Sequence, residues 1–330
     1  MPMKILVTGG MGFIGSNLVI RLLAEDPHAS IVNLDKLTYA GNPMNLSHLS
    51  AESRYTFVHG DIADSSLVAG LVREYTFDAV LNLAAESMVD RSIEDSSVFV
   101  RSNVTGTQVL LDELRRHPDT RMVQVSTDEV YGSLGPDGEF SEDSPLAPNN
   151  PYSATKTAAD LLCRAYHNTY GVQVCVTRCS NNYGPRQFPE KLIPKFIAWA
   201  LDDRALPVFG DGLHVRDWLH VDDHCAAIMA VMNQGQPGRV YNIGGGTELA
   251  NLTLVKLLLE RLGKPESLIS FVSDRPGHDR RYAVNHQRIA AELGWNPQVR
   301  FEDGIRSTID WYLDNQAWLA AIADGSYQNA

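Results

Sequence analysis

The chain has 330 residues, a formal net charge of −12, 44% hydrophobic residues and 21% charged residues. Its length suits one large domain or a domain and a half, and its composition is ordinary for a globular protein. The acidic balance argues against a nucleic-acid-binding protein, which needs a basic surface. No apolar run spans a membrane and no signal-peptide pattern opens the chain, so we expect a cytoplasmic protein without a membrane partner.

The four cysteines form no C-x-x-C pair, and the histidines near them lack zinc-ligand spacing. We therefore expect reduced thiols and no metal site at Cys163, Cys175, Cys179 and Cys225.

Short apolar runs alternate with helical patterns through the first half of the chain. Strands are predicted near residues 4–8, 31–34, 55–59, 79–83, 122–126 and 172–177, and helices near 14–22, 67–75, 97–116 and 152–170. This alternation predicts an α/β fold with a Rossmann-type doubly wound parallel sheet over residues 1–180.

The pattern changes after about Cys179, where prolines and glycines break it into short pieces. Helical patterns resume near residues 220–233, 252–262 and 301–313. We predict a smaller C-terminal α/β cap over residues 181–330 that binds the substrate. The boundary is soft, because no linker separates the halves and the chain can cross between them more than once.

A glycine cluster lies between the first predicted strand and helix. Gly9, Gly12 and Gly15 let the backbone approach a pyrophosphate, which the unpaired N–H groups of the helix N-terminus then bind. An ordinary tight turn has the same glycines, but Asp35 follows about 20 residues later, where a carboxylate accepts from ribose hydroxyls. Its charge repels a 2′-phosphate, so the pattern favours NAD over NADP. Asp61 could accept from the adenine amino group or simply cap a loop.

Tyr152 and Lys156 lie four residues apart, one turn along a predicted helix. A phenol titrates near 10, and a neighbouring ammonium and a nicotinamide cation both favour the phenolate, which is a usable base. A surface cation–aromatic pair has the same spacing. The strand that precedes this helix ends in the polar residues Ser126, Thr127, Asp128 and Glu129, where a parallel sheet opens its crevice.

These motifs resemble the extended short-chain dehydrogenase/reductase family and, within it, the dTDP-glucose 4,6-dehydratases. The matching stretches are TGGMGFIGSN (8–17), LDKLTYAGN (34–42), HGDI (59–62), LAAES (83–87), VSTDEVYG (125–132), PYSATK (151–156), NNYGP (181–185), PEKLIP (189–194), VRDWLHVDDH (215–224) and DRPGHDRRY (274–282). The discriminating element is Thr127-Asp128-Glu129, because epimerases and decarboxylases of the family typically lack the acidic doublet.

The resemblance implies a reaction cycle and the roles of five residues. Thr127 binds the sugar near O4, Tyr152 takes the 4-hydroxyl proton while hydride leaves C4 for NAD, and Lys156 tunes Tyr152. Glu129 removes the C5 proton and Asp128 protonates the departing 6-hydroxyl. Hydride then returns to C6, leaving a 4-keto-6-deoxy sugar and regenerated NAD.

The resemblance also implies binding residues and a homodimer built from the helices at 97–116 and 152–170. The expected NAD contacts are Gly9, Gly12, Phe13, Ile14, Gly15, Asp35, Lys36, Leu37, Thr38, Asp61, Ile62, Leu83, Ala84, Ala85, Glu86, Ser87, Ser102, Tyr152, Lys156 and Asn182. The expected nucleotide-sugar contacts are Ser87, Thr127, Asn181, Lys191, Leu192, Pro207, Val208, Phe209, Arg216, Asn251, Asp274, Arg275, Pro276, Gly277 and His278.

The sequence departs from the family pattern at Met88, where histidine is usual, and at Phe209, where tyrosine is common. Neither departure touches the reacting groups. The alternatives are a nucleotide-sugar 4-epimerase, a nucleotide-glucuronate decarboxylase and a catalytically silent NAD-binding sensor. The acidic doublet argues against the two enzymes, and the intact Tyr152, Lys156, Asp128 and Glu129 argue against the sensor.

Overall fold

The computed structural model describes residues 3–274 and 277–329. Its strands are β1 (Lys4–Thr8), β2 (Ser30–Asp35), β3 (Tyr55–His59), β4 (Ala79–Asn82), β5 (Arg121–Thr127), β6 (Val174–Cys179), β7 (Asn181–Tyr183), β8 (Leu206–Phe209), β9 (Val215–His220), β10 (Val240–Ile243), β11 (Glu248–Ala250) and β12 (Ile269–Val272). Its α-helices are α1 (Phe13–Glu25), α2 (Ser65–Tyr75), α3 (Val89–Glu94), α4 (Ser97–Phe99), α5 (Gly106–Leu114), α6 (Pro151–Tyr170), α7 (Leu192–Leu201), α8 (Val221–Gln234), α9 (Asn251–Leu262), α10 (Gln287–Leu293), α11 (Phe301–Asp314) and α12 (Gln316–Ala323).

Short 3₁₀ segments occur at Pro43–Leu49, Asp128–Tyr131, Glu266–Leu268 and Ser326–Asn329, and a π-helical segment at Val100–Thr105. In the described ranges no helix has the length and apolar character needed to cross a membrane.

Seven parallel strands form the central sheet in the order β10-β6-β5-β4-β1-β2-β3. Helices cover both of its faces, so nearly all side chains of the inner strands are buried. Ile5 and Val7 pack in the core that includes residues of α1, α8 and α10, whereas Leu6 faces the core that includes residues of α2, α5 and α6. The predicted doubly wound α/β fold is confirmed.

The cap combines two small sheets, in the orders β11-β9-β7 and β12-β8, with helices α7, α9, α11 and α12. Its core contains Tyr183, Phe196, Trp218 and Tyr312, all nearly or completely buried. β7 begins two residues after β6 ends, so the strand that leaves the central sheet feeds the cap directly.

The chain returns to the central sheet after it enters the cap. β10 pairs with β6, with Val240 opposite Val176, and α8 packs against α1. The edge strand β10 and the covering helix α8 of the central sheet therefore come from residues after position 180. A domain division at residue 180 stays a prediction.

The helix predicted over 97–116 is interrupted in the structure by the π-helical segment. Inside that segment the Asn103 side chain accepts from Glu86 N at 2.9 Å and donates to Glu86 O and Thr155 Oγ1. These bonds tie the segment to the loop after β4 and to α6, and π-helical turns are frequent at such functional sites. The last strand predicted in the first half begins and ends two residues later, at Val174–Cys179.

Helix α7 was not predicted, because Pro194 breaks its pattern in the sequence. Pro194 is the third residue of α7, within the first turn, where no backbone N–H has a helical partner and proline costs little.

A ladder of buried polar side chains links three strands beneath the glycine turn. Thr8 Oγ1 donates to Asn82 Oδ1 at 2.5 Å, and Asn82 Nδ2 donates to Gln124 Oε1 at 2.7 Å. Thr8 Oγ1 also accepts from the backbone N of Ala84 at 3.3 Å. The ladder therefore connects the core of the sheet to the loop after β4.

Asn82→Ala should destabilise the protein by about 2–4 kcal/mol, because it leaves the buried Thr8 hydroxyl proton without an acceptor and the buried Gln124 side-chain carbonyl without a donor. Urea denaturation followed by circular dichroism measures the change. Asn168→Ala, on the exposed part of α6, is the matched control and should change stability by less than about 0.5 kcal/mol. Equal effects of the two variants would contradict the role of the ladder.

Candidate active site

A cavity opens where β1, β2, β4, β5 and β6 end, at the carboxyl edge of the central sheet. Parallel sheets bind ligands at this edge. The predicted residues that line it are Gly9, Gly12, Phe13, Ile14, Gly15, Asp35, Lys36, Thr38, Asp61, Ile62, Leu83, Ala84, Ala85, Glu86, Ser87, Ser102, Thr127, Asp128, Glu129, Tyr152, Lys156, Asn181, Asn182 and Lys191. One cavity thus joins the predicted cofactor contacts to the predicted reacting groups.

The glycine turn has the geometry that a close-lying anion needs. Gly9 has a φ of 72°, which favours glycine, and a Cβ there would lie 2.7 Å from Ala84 N. A Cβ on Gly15 would collide with the carbonyl oxygen of Gly9. Gly12 precedes α1, and no side chain caps the first N–H groups of that helix. These N–H groups can bind a pyrophosphate.

Asp35 stands at the end of β2 with its carboxylate fixed by the backbone. Oδ2 accepts from Met11 N at 2.9 Å and Oδ1 accepts from Leu37 N at 2.8 Å. Burial raises the pKa of Asp35, while these N–H donors oppose the rise. Each oxygen keeps acceptor capacity for a ribose hydroxyl. Leu37 itself does not line the cavity and takes part through this backbone bond.

Asp61 forms a loop-capping contact, which is one of the two roles predicted for it from the sequence. Oδ1 accepts from Ala63 N at 2.8 Å, and Oδ2 lies 3.0 Å from Lys36 Nζ and 3.1 Å from a guanidinium nitrogen of Arg101. The residue also lines the cavity, so the loop contact does not remove it from the cofactor side.

Tyr152 and Lys156 lie on the first turns of α6, which begins with a capping box at Asn150 and Ser153. Lys156 is buried and its Nζ donates to Val125 O at 2.6 Å. Burial raises the pKa of Tyr152 well above its usual value, and the nearby Glu129 carboxylate acts in the same direction. A hydrogen bond with the Thr127 side chain lowers it. The phenol is therefore protonated unless positive charge is close to it.

The acidic doublet follows β5 and its two carboxyl groups differ in burial. Asp128 is 2% exposed, Glu129 is half-buried, and Asp128 Oδ1 accepts from Thr127 Oγ1 at 3.3 Å. Burial raises the pKa of Asp128 well above its usual value, with the charges of Glu129 and Asp217 adding to the rise. The structure thus favours a protonated Asp128 beside a more solvated Glu129.

Three predicted substrate residues, Asp274, His278 and Asn251, contact His214 in the cap, outside the main cavity. Asp274 Oδ2 lies 3.3 Å from His214 Nε2, and the rings of His278 and His214 stack at 3.7 Å. Asn251 N donates to His214 O at 2.9 Å. Leu192, Pro207, Val208, Phe209 and Gly277 also lie outside the cavity lining, and Arg275 and Pro276 fall outside the described residues.

Arg216 lies near both the residues around His214 and the acidic doublet, Asp128 and Glu129. Its guanidinium is buried, donates to Val215 O and Asp279 O, and stacks 4.6 Å from the centre of the Tyr282 ring. Its charge also opposes the raised pKa of Asp128, which places it electrostatically close to the acidic doublet.

Several cavity residues were missed in the sequence. Cys179 ends β6 and Ser180 follows it, just as Thr127 ends β5 and Asp128 follows it, so the rule of strand carboxyl ends could have identified them. The other lining residues were not predicted as contacts, although the matching motifs contain all of them except Gln187 and Phe188. They are Leu34, Ala40, Gly41, Gly60, Val125, Ser126, Gln187, Phe188 and Glu190.

Comparison with known proteins places this site in a family. The GDP-mannose 4,6 dehydratase family matches residues 6–308. This chain belongs to that family. The membership predicted from the motifs is thereby confirmed.

Relatives within the family are similar over nearly the whole chain. A dTDP-glucose 4,6-dehydratase of Actinoplanes sp. is 53% identical, with 96% of this chain and 99% of the relative covered. The crystal structure of DesIV, a dTDP-glucose 4,6-dehydratase from Streptomyces venezuelae with NAD and TYD bound, is 51% identical with a TM-score of 0.93 and covers 96% of this chain and 98% of its own. A UDP-glucose 4-epimerase from Thermotoga maritima with UDP-glucose is 28% identical with a TM-score of 0.89, covering 95% and 100%.

Asp35→Ser should weaken NAD binding about tenfold or more, because it removes the charged acceptor at the end of β2. The affinity for NADP relative to NAD should rise, since the charge that repels a 2′-phosphate is lost. Calorimetric titration with both nucleotides measures the two affinities.

Asp64→Ser makes the same chemical change outside the cavity. Asp64 caps α2 by accepting from Ser66 N and Leu67 N, a role that serine also fills. This control should bind NAD normally, and an unchanged affinity in Asp35→Ser would contradict the assignment of Asp35.

Proposed function

We propose that the protein is an NAD-dependent dTDP-glucose 4,6-dehydratase. One observation carries this proposal. Asp128, whose pKa is raised well above its usual value by burial, lies beside the more exposed Glu129 at the end of β5, close to Tyr152. Elimination of water needs an acid and a base at the same time, and the different environments of the two carboxyl groups supply both.

The residues of the cavity can be assigned to the steps of this reaction. Tyr152 accepts the proton of the 4-hydroxyl, assisted by Thr127 and by the charge of Lys156. Glu129 removes the C5 proton once C4 is a ketone, and Asp128 gives its proton to the leaving 6-hydroxyl. NAD, when bound, accepts hydride from C4 and returns it to C6. Gly9, Gly12, Gly15 and Asp35 hold the cofactor, as their geometry supports.

The substrate contacts remain proposals. Lys191, whose Nζ donates to Ser87 O at 2.9 Å, and Asn181 line the cavity near the reacting groups. The residues around His214, with Phe209 and Asn251, lie on the cap and are proposed to receive the nucleotide. Arg216, between the cavity residues and the residues around His214, suits the diphosphate because a guanidinium forms paired hydrogen bonds.

A 4-epimerase is the second candidate, because the epimerase from Thermotoga maritima shares the fold. An epimerase removes no water and needs no carboxylic acid beside its tyrosine. The 53% and 51% identities to dehydratases, against 28% to this epimerase, support the dehydratase.

Incubation of the protein with dTDP-glucose and with UDP-glucose, followed by mass spectrometry and NMR, tests the proposal. We expect a 4-keto-6-deoxy sugar, formed faster from dTDP-glucose and without net NAD consumption, because hydride returns to the same sugar. A C4 epimer without loss of water, or steady release of NADH, would overturn it.

The acid and the base can be separated by three variants. Glu129→Gln should still reduce bound NAD but then stall, so the absorbance of reduced nicotinamide accumulates without deuterium uptake at C5. Tyr152→Phe should show no such absorbance, because it fails at the first proton transfer. Asp128→Asn should oxidise the sugar and lose water about 10²–10⁴-fold more slowly.

Single-turnover absorbance and deuterium uptake at C5 distinguish these outcomes. Normal C5 exchange in Glu129→Gln would show that another group is the base.

We also propose a homodimer in the cytoplasm. In the helix predicted over 97–116, the apolar side chains of Leu110, Leu111 and Leu114 are buried inside the fold and cannot form the contact. Large apolar side chains are instead exposed at Ile93, Val98, Val100 and Leu161, on α3, α4, the π-helical segment and α6. α3, α4 and the π-helical segment pack against α6, and a second copy of the chain would cover the exposed side chains of all four. Reduced cysteines at Cys163, Cys175, Cys179 and Cys225 support the location.

Leu161→Arg should convert the protein to a monomer at micromolar concentration, because it places a charge in the apolar contact. Light scattering coupled to size-exclusion chromatography measures the mass. Leu213→Arg, equally exposed at 49% but on the cap, should keep the dimeric mass. A monomeric unmodified protein would contradict the proposal.

A further inference from the structure

The ammonium of Lys156 is placed where charge is unfavourable. The residue is 4% exposed, and its Nζ donates to the carbonyl oxygen of Val125. Burial lowers the pKa of Lys156, and the Asp160 carboxylate is the largest influence in the opposite direction. The ammonium can assist Tyr152 only while it keeps its proton, so the source of the opposing charge matters for the reaction.

Asp160 lies four residues after Lys156 on α6, one turn along the helix. It is 3% exposed, and its Oδ2 accepts from Arg178 Nε at 2.9 Å. Within the described part of the chain, its other oxygen forms no hydrogen bond that meets the usual geometry. Burial raises the pKa of Asp160, and Arg178, the Ser126 hydroxyl and Lys156 oppose the rise. The carboxylate is thus paired with the buried Arg178 and lies one helical turn from the buried Lys156.

Arg178 is fixed on the far side of this carboxylate. One guanidinium nitrogen donates to Tyr131 Oη at 2.9 Å, and the guanidinium lies 4.9 Å from the centre of the Tyr131 ring. Tyr131 Oη in turn donates to Asn242 Oδ1 at 2.7 Å, on β10. Neighbours from three other elements therefore hold the arginine in place. Arg178, Asp160 and Lys156 are thus buried groups of alternating charge, and Tyr152 lies one turn before Lys156 on α6.

We propose that Asp160 is a positioning residue of the reaction, whose negative charge keeps Lys156 protonated and thereby sets the pH range in which Tyr152 is a base. The inference rests on the proposed roles of Tyr152 and Lys156. A buried salt bridge with Arg178 alone would make Asp160 a structural residue. The two readings differ in what happens when each partner of the salt bridge is removed.

Asp160→Asn removes the anion but keeps the size of the side chain. Lys156 then loses its counter-charge while Arg178 remains, so the phenol of Tyr152 should ionise at higher pH. The ascending limb of kcat against pH should move up by about one unit, a tenfold loss of rate below the limb. Arg178→Gln breaks the same salt bridge but leaves the anion beside Lys156, so its limb should stay in place or move down.

The phenolate is also measured directly, as the ultraviolet absorbance of the NAD-loaded protein against pH with Tyr152→Phe subtracted. This titration needs no turnover, so it tests Asp160 even if the proposed reaction were wrong. The double variant Asp160→Asn, Arg178→Gln removes both charges and should fold where a single variant does not. It should show the same upward shift as Asp160→Asn.

The proposal is overturned if Asp160→Asn and the double variant titrate as the unmodified protein does. It is equally overturned if Arg178→Gln shifts the titration upward as far as Asp160→Asn does. Failure of the reaction itself has a different signature, because the unmodified protein would then make no 4-keto-6-deoxy sugar whatever the titrations show.

Discussion

The register of the central sheet is the constraint on which the site depends. Thr127, Asp128 and Glu129 stand at or just after the carboxyl end of β5, and backbone hydrogen bonds between the parallel strands fix which strand ends are neighbours. Thr127 lies opposite Cys179, and Thr8 lies opposite Asn82. A slip of one residue would turn every side chain of a strand to the other face of the sheet. The buried side-chain bond between Thr8 and Asn82 opposes such a slip, because it forms in one register.

Burial then differentiates chemically similar groups. Asp128 and Glu129 are adjacent in the chain, but the 3₁₀ segment after β5 directs them into different surroundings. Asp128 is almost fully buried next to Asp217, so its neutral form is favoured, while Glu129 retains more solvent. Two carboxylic acids thereby suit the opposite roles proposed for them without a change of residue type. Burial acts on Lys156 and Asp160 in the same sense, because it lowers the pKa of the lysine, raises the pKa of the aspartate and so favours the neutral form of each.

Local patterns were sufficient to predict the glycine turn, helix α6 with Tyr152 and Lys156, and the strand that ends at Thr127. Each of these depends on neighbours in the sequence. The pairing of β10 with β6 was not predictable in the same way, because it joins residues more than sixty positions apart. Glu190 reaches the cavity through the fold of the cap, where its carboxylate accepts from Tyr39 Oη at 2.9 Å. Nothing in the local sequence indicates that contact.

The environment of Tyr152 contains a conflict that the reaction must resolve. The carboxyl groups needed for elimination lie close enough to the phenol to oppose its ionisation, and burial opposes it further. Moving these groups away would ease the first proton transfer but would take the acid and the base from the sugar. Positive charge near the phenol is the remaining solution, and Lys156, which lies one turn further along α6 and lines the same cavity, is its proposed source. A lysine so deeply buried needs a nearby negative charge. Asp160 supplies this charge one turn further along α6, and its own carboxylate is paired with Arg178.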